Sequence, residues 1–285
     1  MGSGPVLGVK ERKPRVRLPP LVSGRYLPLE ELGSGGLGDV YLAHDIMGSR
    51  RVAIKVMKDN LVEKEKARGL MLNESSALNL LEHEGIPKLV EYHNGEQPYL
   101  VMDYVKGVPM GLKALSKRTR KEFVRLCADI CGILEEIHRK GIVHRDLKPS
   151  NILINPETLK PAVLDFSHSI VPGMRDYSGT EAFGTPAFMS PEQTFAGIQA
   201  DHRSDIYSLG VLMYMCLAGR TPFVMRDSAE EVMKQHRLVS PVPLELVDGA
   251  IPRGLSMVIS IALNKMPQDR YPNVAELRKA LEQLI

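Results

Sequence analysis

One stretch of eight residues constrains the fold of this 285-residue chain more than any other feature. It reads HRDLKPSN over residues 144–151 and is flanked by short apolar runs that are typical of β-strands. Within it, Asp146 can accept a hydroxyl proton, Lys148 can stabilise a phosphoryl group, and Asn151 can ligate Mg²⁺. The stretch therefore predicts a polar loop between two strands that carries a proton acceptor, a cationic group and a metal ligand.

A second carboxylate follows at a place that suits the same chemistry. Asp165 ends another apolar strand, fourteen residues after Asn151. Two metal-binding groups from adjacent strands suit two Mg²⁺ ions on a triphosphate. Taken separately, His144 reads as a packed core residue and Asp165 as a turn carboxylate, but these interpretations do not explain the ordered set.

A glycine-rich turn lies near the start of the chain. Residues 33–40 read GSGGLGDV, which places Gly33, Gly35 and Gly38 in a G-x-G-x-x-G spacing between two predicted strands. Glycine lets a backbone approach phosphate oxygens closely and present its N–H groups to them. A glycine-rich hairpin without a ligand is the alternative, because this pattern alone is a weak signal. The turn is not a dinucleotide fingerprint, since a strand and not a helix follows it.

A lysine on an apolar strand needs an anion nearby. Lys55 ends the run VAIK at 52–55, where an ammonium group is unfavourable unless phosphates or a carboxylate neutralise it. Glu74, on the helix predicted next, is the natural carboxylate, and the pair would orient the α- and β-phosphates of a nucleotide. Taken alone, Glu74 reads equally well as a surface residue of a helix.

The hydrophobic pattern changes along the chain from strand-like to helical. Strands are predicted at 26–43 around the glycine turn, 51–58, 85–92 and 98–105, with one helix at 61–82. A helix at 121–141, stopped by Gly141, opens a mainly helical remainder that prolines interrupt. The pattern predicts an α+β fold of two lobes, a small antiparallel-sheet lobe and a larger helical lobe, with a cleft near 102–107.

Net charge and cysteine content argue against a nucleic-acid partner and against a cysteine metal site. A net charge of +3 does not argue for a nucleic-acid partner, although basic residues crowd the start of the chain at Lys10, Arg12, Lys13, Arg15 and Arg17. Residues 1–25 are expected to form a flexible arm, and a docking arm for an acidic partner or a membrane surface is the alternative. Cys127 and Cys131 share one helical face without a second Cys/His pair, which favours core packing over a metal site.

The sequence carries no recognisable signal for secretion or for insertion into a membrane. Its first residues lack the apolar core of a signal peptide, and no apolar run approaches the length that spans a bilayer. The expected location is the cytoplasm. Whether the chain is a complete small protein or a piece of a larger one stays open at this point.

The motifs together resemble the eukaryotic-type protein kinase family, often called Hanks-type in bacteria. The resemblance covers residues 26–285 and includes the glycine loop, Lys55, Glu74, HRDLKPSN, the DF of Asp165 and the segment GTPAFMSPEQ at 184–193. Asp205 matches the helix aspartate that braces the catalytic loop in that family. Arg270 matches the arginine that pairs with a glutamate, here Glu192. In style the sequence is most similar to bacterial members.

The resemblance implies an ATP-dependent serine/threonine protein kinase domain at 26–285, with an N-lobe at 26–103 and a C-lobe at 107–285. The serine/threonine class is indicated by Lys148, two residues after Asp146, and by Thr185, which resembles the threonine that contacts both. The implied catalytic residues are Asp146, Lys148, Lys55 and Glu74. The implied metal ligands are Asn151 and Asp165, for Mg²⁺ with Mn²⁺ as the alternative. The implied ATP-binding residues are Gly33, Gly35, Gly38, Val40, Ala53, Lys55, Met102, Asp103, Val105 and Leu153.

One residue departs from the family pattern. The family's DFG reads Asp165-Phe166-Ser167 here. Serine restricts the positive φ that glycine adopts freely, so we expect Ser167 to bias the conformational switch or slow the enzyme without abolishing it. A catalytically inactive relative is the alternative that rests on this substitution.

Regulation by phosphorylation follows from the resemblance as a further expectation. Arg145 precedes the catalytic aspartate and in the family receives a phosphate from the activation segment, where Ser169, Ser178 and Thr180 lie. Ser178 and Thr180 are the better candidates, and alanine at both is expected to lower activity if the domain phosphorylates itself. These hydroxyls read equally well as ordinary loop residues. Transient self-association for phosphorylation in trans is left open.

Three other classes compete with a protein kinase. A nucleotide-binding scaffold would share the fold and lack phosphotransfer. A small-molecule kinase would keep both aspartates and lack GTPAFMSPEQ. A pure interaction module built on the basic arm would explain none of the catalytic set. Protein substrates with Ser or Thr acceptors, without nucleic acid and without a membrane span, are therefore the expected partners.

Overall fold

The structure is a computed structural model that describes residues 22–115, 118–177, 185–195, 198, 200–223 and 228–285. The basic cluster at 10–17 and the candidate phosphorylation sites Ser178 and Thr180 lie outside the described residues. The strands are β1 (Tyr26–Ser34), β2 (Gly38–Asp45), β3 (Arg50–Met57), β4 (Leu89–His93), β5 (Tyr99–Asp103), β6 (Val108–Pro109), β7 (Ile152–Ile154) and β8 (Pro161–Val163). The helices are α1 (Glu65–Leu80), α2 (Leu112–Leu115), α3 (Arg120–Arg139), α4 (His202–Ala218), α5 (Ala229–Leu238), α6 (Leu244–Val247), α7 (Arg253–Ala262) and α8 (Val274–Glu282).

The first lobe is a five-stranded antiparallel sheet in the order β1-β2-β3-β5-β4. The alternation in β3 gives the sheet two faces. Val52 and Ile54 are fully buried with Tyr26 and Val101 in a small core on one face. Ala53 and Lys55 point to the other face, toward the main core and the second lobe. The period-two pattern of one strand thus places the predicted lysine on the side where it meets the rest of the molecule.

Helix α1 covers that second face of the sheet. It begins at Glu65, whereas the sequence pattern predicts a start near 61, because a short 3₁₀ turn at Asp59–Leu61 comes first. Met71 and Leu78 are buried against the core on the same side as Glu74. The helix therefore presents a carboxylate into the interior instead of to solvent.

The second lobe is built around α3 and α4. Thr119 and Glu122 form a capping box at the start of α3, and Gly141 takes a positive φ of 71° just after its end. One face of α3 is apolar and buried, and α8 packs against this helix. Helix α4 is buried along most of its length, so it forms the centre of the lobe.

A three-stranded sheet, β6-β7-β8, lies beside the junction of the two lobes. Strands β7 and β8 frame the loop between Ile154 and Pro161, and residues 144–148 precede β7 without regular structure. Val143 contributes only an isolated bridge to Ile170. The predicted two-lobed α+β fold is confirmed, and Asp165 of the helical lobe lies 3.0 Å from Lys55 Nζ of the sheet lobe.

None of the helices in the described parts of the chain has the length and apolar composition that crossing a bilayer would need.

Candidate active site

A buried aspartate holds the loop that precedes β7. Asp205, on α4, accepts hydrogen bonds from the backbone N–H groups of His144 at 2.9 Å and Arg145 at 2.8 Å. His138 contacts the same carboxylate at 2.8 Å. Although burial acts in the opposite direction, His138 and the backbone donors hold the pKa of Asp205 below its usual range. The carboxylate thereby fixes Arg145 at a positive φ of 64°, which is unfavourable for a non-glycine residue.

Asp146, the predicted catalytic aspartate, follows Arg145 in the sequence and is 4% exposed. Its Oδ2 accepts hydrogen bonds from Lys148 Nζ at 2.6 Å and from Asn151 Nδ2 at 3.1 Å. Asn151 Nδ2 also donates to the Asp146 carbonyl at 2.9 Å. Within the described residues, Asp146 Oδ1 has no hydrogen-bond donor. One carboxylate oxygen is therefore fixed by the protein while the other can accept a proton from a substrate.

Lys55 joins the two lobes. Its ammonium nitrogen lies 2.6 Å from Glu74 Oε2 and 3.0 Å from Asp165 Oδ1. Burial would lower the pKa of Lys55, but Asp165 and Glu74 together raise it above its usual range, so this lysine is charged. In the same way, burial would raise the pKa of Asp165, but Lys55 and Ser167 hold it below its usual range.

Asp165 is oriented by the residue that departs from the family pattern. Ser167 Oγ donates to Asp165 Oδ1 at 2.7 Å, and the backbone of Ser167 does not have a positive φ. Asp165 Oδ2 receives no hydrogen bond from any described residue. Among the described residues, Asn151 Oδ1 accepts only from Ser150 Oγ, at 3.2 Å, and it has a second lone pair.

These oxygens suit a divalent cation held partly by a nucleotide. No group of three or more His, Cys, Asp or Glu side chains that could hold a metal ion by itself occurs in the described ranges. An ionised carboxylate and an amide oxygen are hard ligands of the kind that Mg²⁺ takes together with substrate phosphates. The residues present therefore fit the predicted ligand set of Asn151 and Asp165.

The glycines of the 33–38 turn separate into two kinds. A Cβ on Gly38 would lie 2.4 Å from the Val56 carbonyl oxygen, so packing against β3 requires glycine there. At Gly33 and Gly36 a Cβ would have no neighbour within 4 Å, and neither residue has a positive φ. Among the described residues, nothing requires glycine at those two positions. Close approach of a ligand would account for them, which is the prediction made from the sequence pattern.

The residues predicted to contact the nucleotide base lie on strands β2, β3, β5 and β7 and on the segment that follows β5. Met102 pairs with Ala53 across the β3–β5 ladder, and Val40 pairs with Lys55 across the β2–β3 ladder. Asp103 donates its backbone N–H to the Lys88 carbonyl at 3.0 Å, which leaves only its carbonyl for a ligand. The Val105 backbone makes no hydrogen bond with another described residue. Leu153, in β7, is half-buried on the helical lobe.

The structure also contains contacts that the motifs do not indicate. Lys58 Nζ donates to the Gly35 carbonyl at 2.7 Å and ties the glycine turn to the end of β3. Gln193 Nε2 donates to the Arg145 carbonyl at 2.7 Å. Lys58 lies outside every predicted motif, and the only signal for Gln193 is its place at the end of the GTPAFMSPEQ segment.

Two contacts implied by the family resemblance give different results. Arg270 forms a bidentate pair with Glu192, with both distances 2.7 Å, so this predicted pairing is confirmed. In contrast, no hydrogen bond within the described residues joins Thr185 to Asp146 or Lys148. Thr185 precedes the 3₁₀ turn at Pro186–Phe188 instead.

The sheet lobe has a glycine turn and a buried Lys–Glu pair, and the helical lobe carries Asp146, Asn151 and Asp165. This combination defines the class of two-lobed, nucleotide-dependent kinases. The chain belongs to the protein kinase domain family, which matches residues 26–279. This confirms the family that the motifs resemble.

Bacterial serine/threonine-protein kinases are among the relatives that the chain matches. The chain is 35% identical over 265 residues to serine/threonine-protein kinase Pkn1 of Myxococcus xanthus, a match that covers 91% of this chain and 38% of that protein. It is 35% identical to serine/threonine-protein kinase PknB of Mycobacterium tuberculosis, over 92% of this chain and 43% of the relative. Serine/threonine-protein kinase PksC of Streptomyces coelicolor is 32% identical, over 90% of this chain and 48% of the relative. The chain thus spans less than half the length of each of these relatives.

Proposed function

We propose that this chain transfers the γ-phosphoryl group of ATP to serine and threonine hydroxyls of proteins. The observation that supports the proposal is that the two oxygens of each carboxylate, Asp146 and Asp165, differ in their contacts. On each carboxylate one oxygen is held by the protein's own donors, and the other is left for a ligand. Such preorganised charge is what in-line phosphoryl transfer requires of a protein.

Each side chain has a role that follows from its contacts. Asp146 Oδ1 orients the acceptor hydroxyl and takes its proton, while Lys148 fixes the opposite carboxylate oxygen and supplies positive charge. Lys55, held by Glu74, binds the phosphates with a permanent positive charge. Asn151 and Asp165 would hold Mg²⁺, or Mn²⁺, which neutralises phosphate charge when bound.

The remaining parts of the proposal concern the surroundings of this site. We propose an N-lobe at 26–103 and a C-lobe at 107–285, with ATP between them in contact with Gly33, Gly35, Gly38, Val40, Ala53, Met102, Asp103, Val105 and Leu153. Phosphorylation of the domain's own activation segment through transient self-association belongs to the same proposal. The location in the cytoplasm stays a prediction of the sequence.

The test is transfer of labelled γ-phosphate from ATP to the protein itself and to a generic basic protein substrate. Wild type and Asp146→Asn are compared in Mg²⁺ and in Mn²⁺, and phosphoamino-acid analysis identifies the acceptor. Label on Ser and Thr that the variant loses supports the proposal. A well-folded wild type that transfers no label with either ion contradicts it, and nucleotide binding without transfer would then identify a scaffold.

A further inference from the structure

Three consecutive residues of the activation segment between them contact both lobes. Arg175, Asp176 and Tyr177, which we call the 175–177 clasp, lie between the helical lobe that carries them and helix α1 of the sheet lobe. Arg175 pairs with Glu65 at the start of α1 at 2.9 Å. The Arg175 and Glu65 side chains are 70% and 80% exposed, so this ion pair contributes little to stability by itself. The more buried contacts of the clasp are made by Asp176 and Tyr177.

Asp176 binds the arginine of the catalytic loop. Its two oxygens accept from Arg145 Nη1 and Nη2, each at 2.9 Å, in a bidentate pair. The Arg145 side chain is only 9% exposed, and its Nε donates to the His168 carbonyl at 2.8 Å. A bidentate carboxylate is a strong partner for a guanidinium group removed from water. Because Arg145 immediately precedes Asp146, this pair bears directly on the loop that carries the proposed base.

Tyr177 packs against helix α1 at Gly69, where a larger residue would have to displace the tyrosine ring. A Cβ on Gly69 would lie 2.1 Å from Cζ of the Tyr177 ring. Glycine within a helix is unfavourable relative to alanine, so its presence here is explained by the ring and not by helix stability. Gly69 lies five residues before Glu74, the partner of Lys55. The ring therefore buttresses the helix that positions the phosphate-binding lysine.

We propose that Asp176 and Tyr177 are positioning residues that hold Asp146 and the Lys55–Glu74 pair in place without phosphorylation of the activation segment. The Asp176 carboxylate supplies the anion that the family resemblance assigns to a phosphate on Ser178 or Thr180. The inference rests on the proposed kinase function and changes one expectation drawn from the sequence. Alanine at both Ser178 and Thr180 should leave most of the activity in place.

The first experiment compares dephosphorylated enzymes. Wild type, Asp176→Asn, Asp176→Glu and the Ser178→Ala/Thr180→Ala double variant are treated with phosphatase, checked by intact mass and assayed on a protein substrate. We expect kcat to fall about tenfold or more in Asp176→Asn, with recovery in Asp176→Glu and a smaller change in KM for ATP. Asp59→Asn is the matched control, because Asp59 is an exposed carboxylate without an ion pair among the described residues.

A dephosphorylated wild type that is inactive, while the phosphorylated protein is active, would overturn the inference and leave the proposed function standing. Equal kcat values for Asp176→Asn and wild type would overturn it as well. An enzyme inactive in every phosphorylation state would instead count against the proposed function.

A second experiment needs no catalysis. Hydrogen exchange of α1 and of residues 170–177 is measured for Gly69→Ala, Tyr177→Ala and the double variant. Gly69→Ala should displace the ring and increase exchange in α1 even though alanine favours helix. In the Tyr177→Ala background the same substitution should have no such effect, since the obstruction is gone. Additive effects of the two substitutions, or unchanged exchange in Gly69→Ala, would show that the ring does not buttress α1.

Discussion

At the scale of single residues, Ser167 shows how a departure from a family pattern is accommodated. From the sequence, serine in place of glycine is expected to restrict positive φ. In the structure Ser167 does not adopt positive φ, while Asp165 does, at 63°. The serine hydroxyl donates to the carboxylate whose other oxygen is left for a cation. The substitution therefore adds a bond that holds Asp165 in this conformation.

We expect Ser167→Ala to raise the Mg²⁺ concentration needed for half-maximal activity by about tenfold, the size of one hydrogen bond to a charged group. Ser167→Gly removes the same hydroxyl and also frees the backbone, so a comparison of the two variants separates the two effects. Steady-state rates across a Mg²⁺ titration provide the measurement. If both variants match wild type, the hydroxyl has no part in orienting Asp165.

Residues within local motifs could be predicted from the sequence, and residues that meet through distant pairing could not. The motif spacing predicts Lys55, Glu74 and Asp165 as site residues, and in the structure the Lys55 ammonium nitrogen lies 2.6 Å from Glu74 Oε2 and 3.0 Å from Asp165 Oδ1. Asp176 was not recognised, because its pairing with Arg145 spans 31 positions and leaves no trace in a short motif. Gly69 gives a weak signal, a glycine in a helical pattern, but its cause is a ring on another segment.

At the scale of elements, the β1–β2 turn combines rigidity with open space. Gly38 packs on β3, and Lys58 and the Ser34–Asp39 hydrogen bond of 2.6 Å fix the flanks of the turn. At the tip, a Cβ on Gly36 would have no neighbour within 4 Å among the described residues. A turn held at its base and open at its tip suits repeated binding and release of a phosphate chain.

Two alanine substitutions in this turn should behave differently. We expect Gly36→Ala to leave the melting temperature unchanged and to raise KM for ATP by about tenfold, since the new methyl group meets only the ligand. Gly38→Ala should lower the free energy of unfolding by about 1–3 kcal/mol, because its methyl group meets the Val56 carbonyl. Thermal unfolding and ATP titration of both variants test this. An unchanged KM in Gly36→Ala together with an unchanged melting temperature in Gly38→Ala would contradict it.

At the scale of the whole molecule, the helical lobe contains a buried histidine beneath the GTPAFMSPEQ segment. His236 is fully buried, with Nδ1 3.0 Å from the Tyr207 hydroxyl. Burial, with Lys265 nearby, lowers the pKa of His236 to about 4. Lys265 Nζ donates to the His236 carbonyl at 2.8 Å and lies 4.4 Å above the Phe223 ring. The lobe is thus built around a neutral imidazole.

This histidine predicts how stability depends on pH. Between about pH 6.5 and pH 4 the unfolded chain binds a proton at His236 and the folded chain does not, so the free energy of unfolding falls as the pH falls, by about 3 kcal/mol over that window. Denaturant unfolding of wild type and His236→Asn from pH 7 to pH 4 measures the difference. The variant should lose this part of the slope, and His93→Gln, at an exposed site, should keep it. Parallel curves for His236→Asn and wild type would exclude the imidazole as the cause.

The architecture was predictable where the hydrophobic period is long and regular. The strands β1, β2, β3 and β5, helix α3 and its stop just before Gly141 follow from alternation, amphipathic spacing and the glycine. Strand β6 was not predicted, since two residues at Val108–Pro109 become a strand only by pairing with β7. The start of β4 at Leu89 instead of residue 85 likewise depends on its partner β5.

The burial of the cysteines in the helical lobe has a practical consequence. Cys127 and Cys131 have no exposed surface, and burial raises the pKa of Cys216 to about 12. Thiol reagents attack the thiolate, so the closed molecule should react very slowly at neutral pH. Because Cys127 and Cys131 are the two buried cysteines, their alkylation rates report the opening of this lobe, and mass spectrometry can measure them without an engineered probe. A cysteine introduced on the surface would, for the same reason, be the one site that a dye labels quickly.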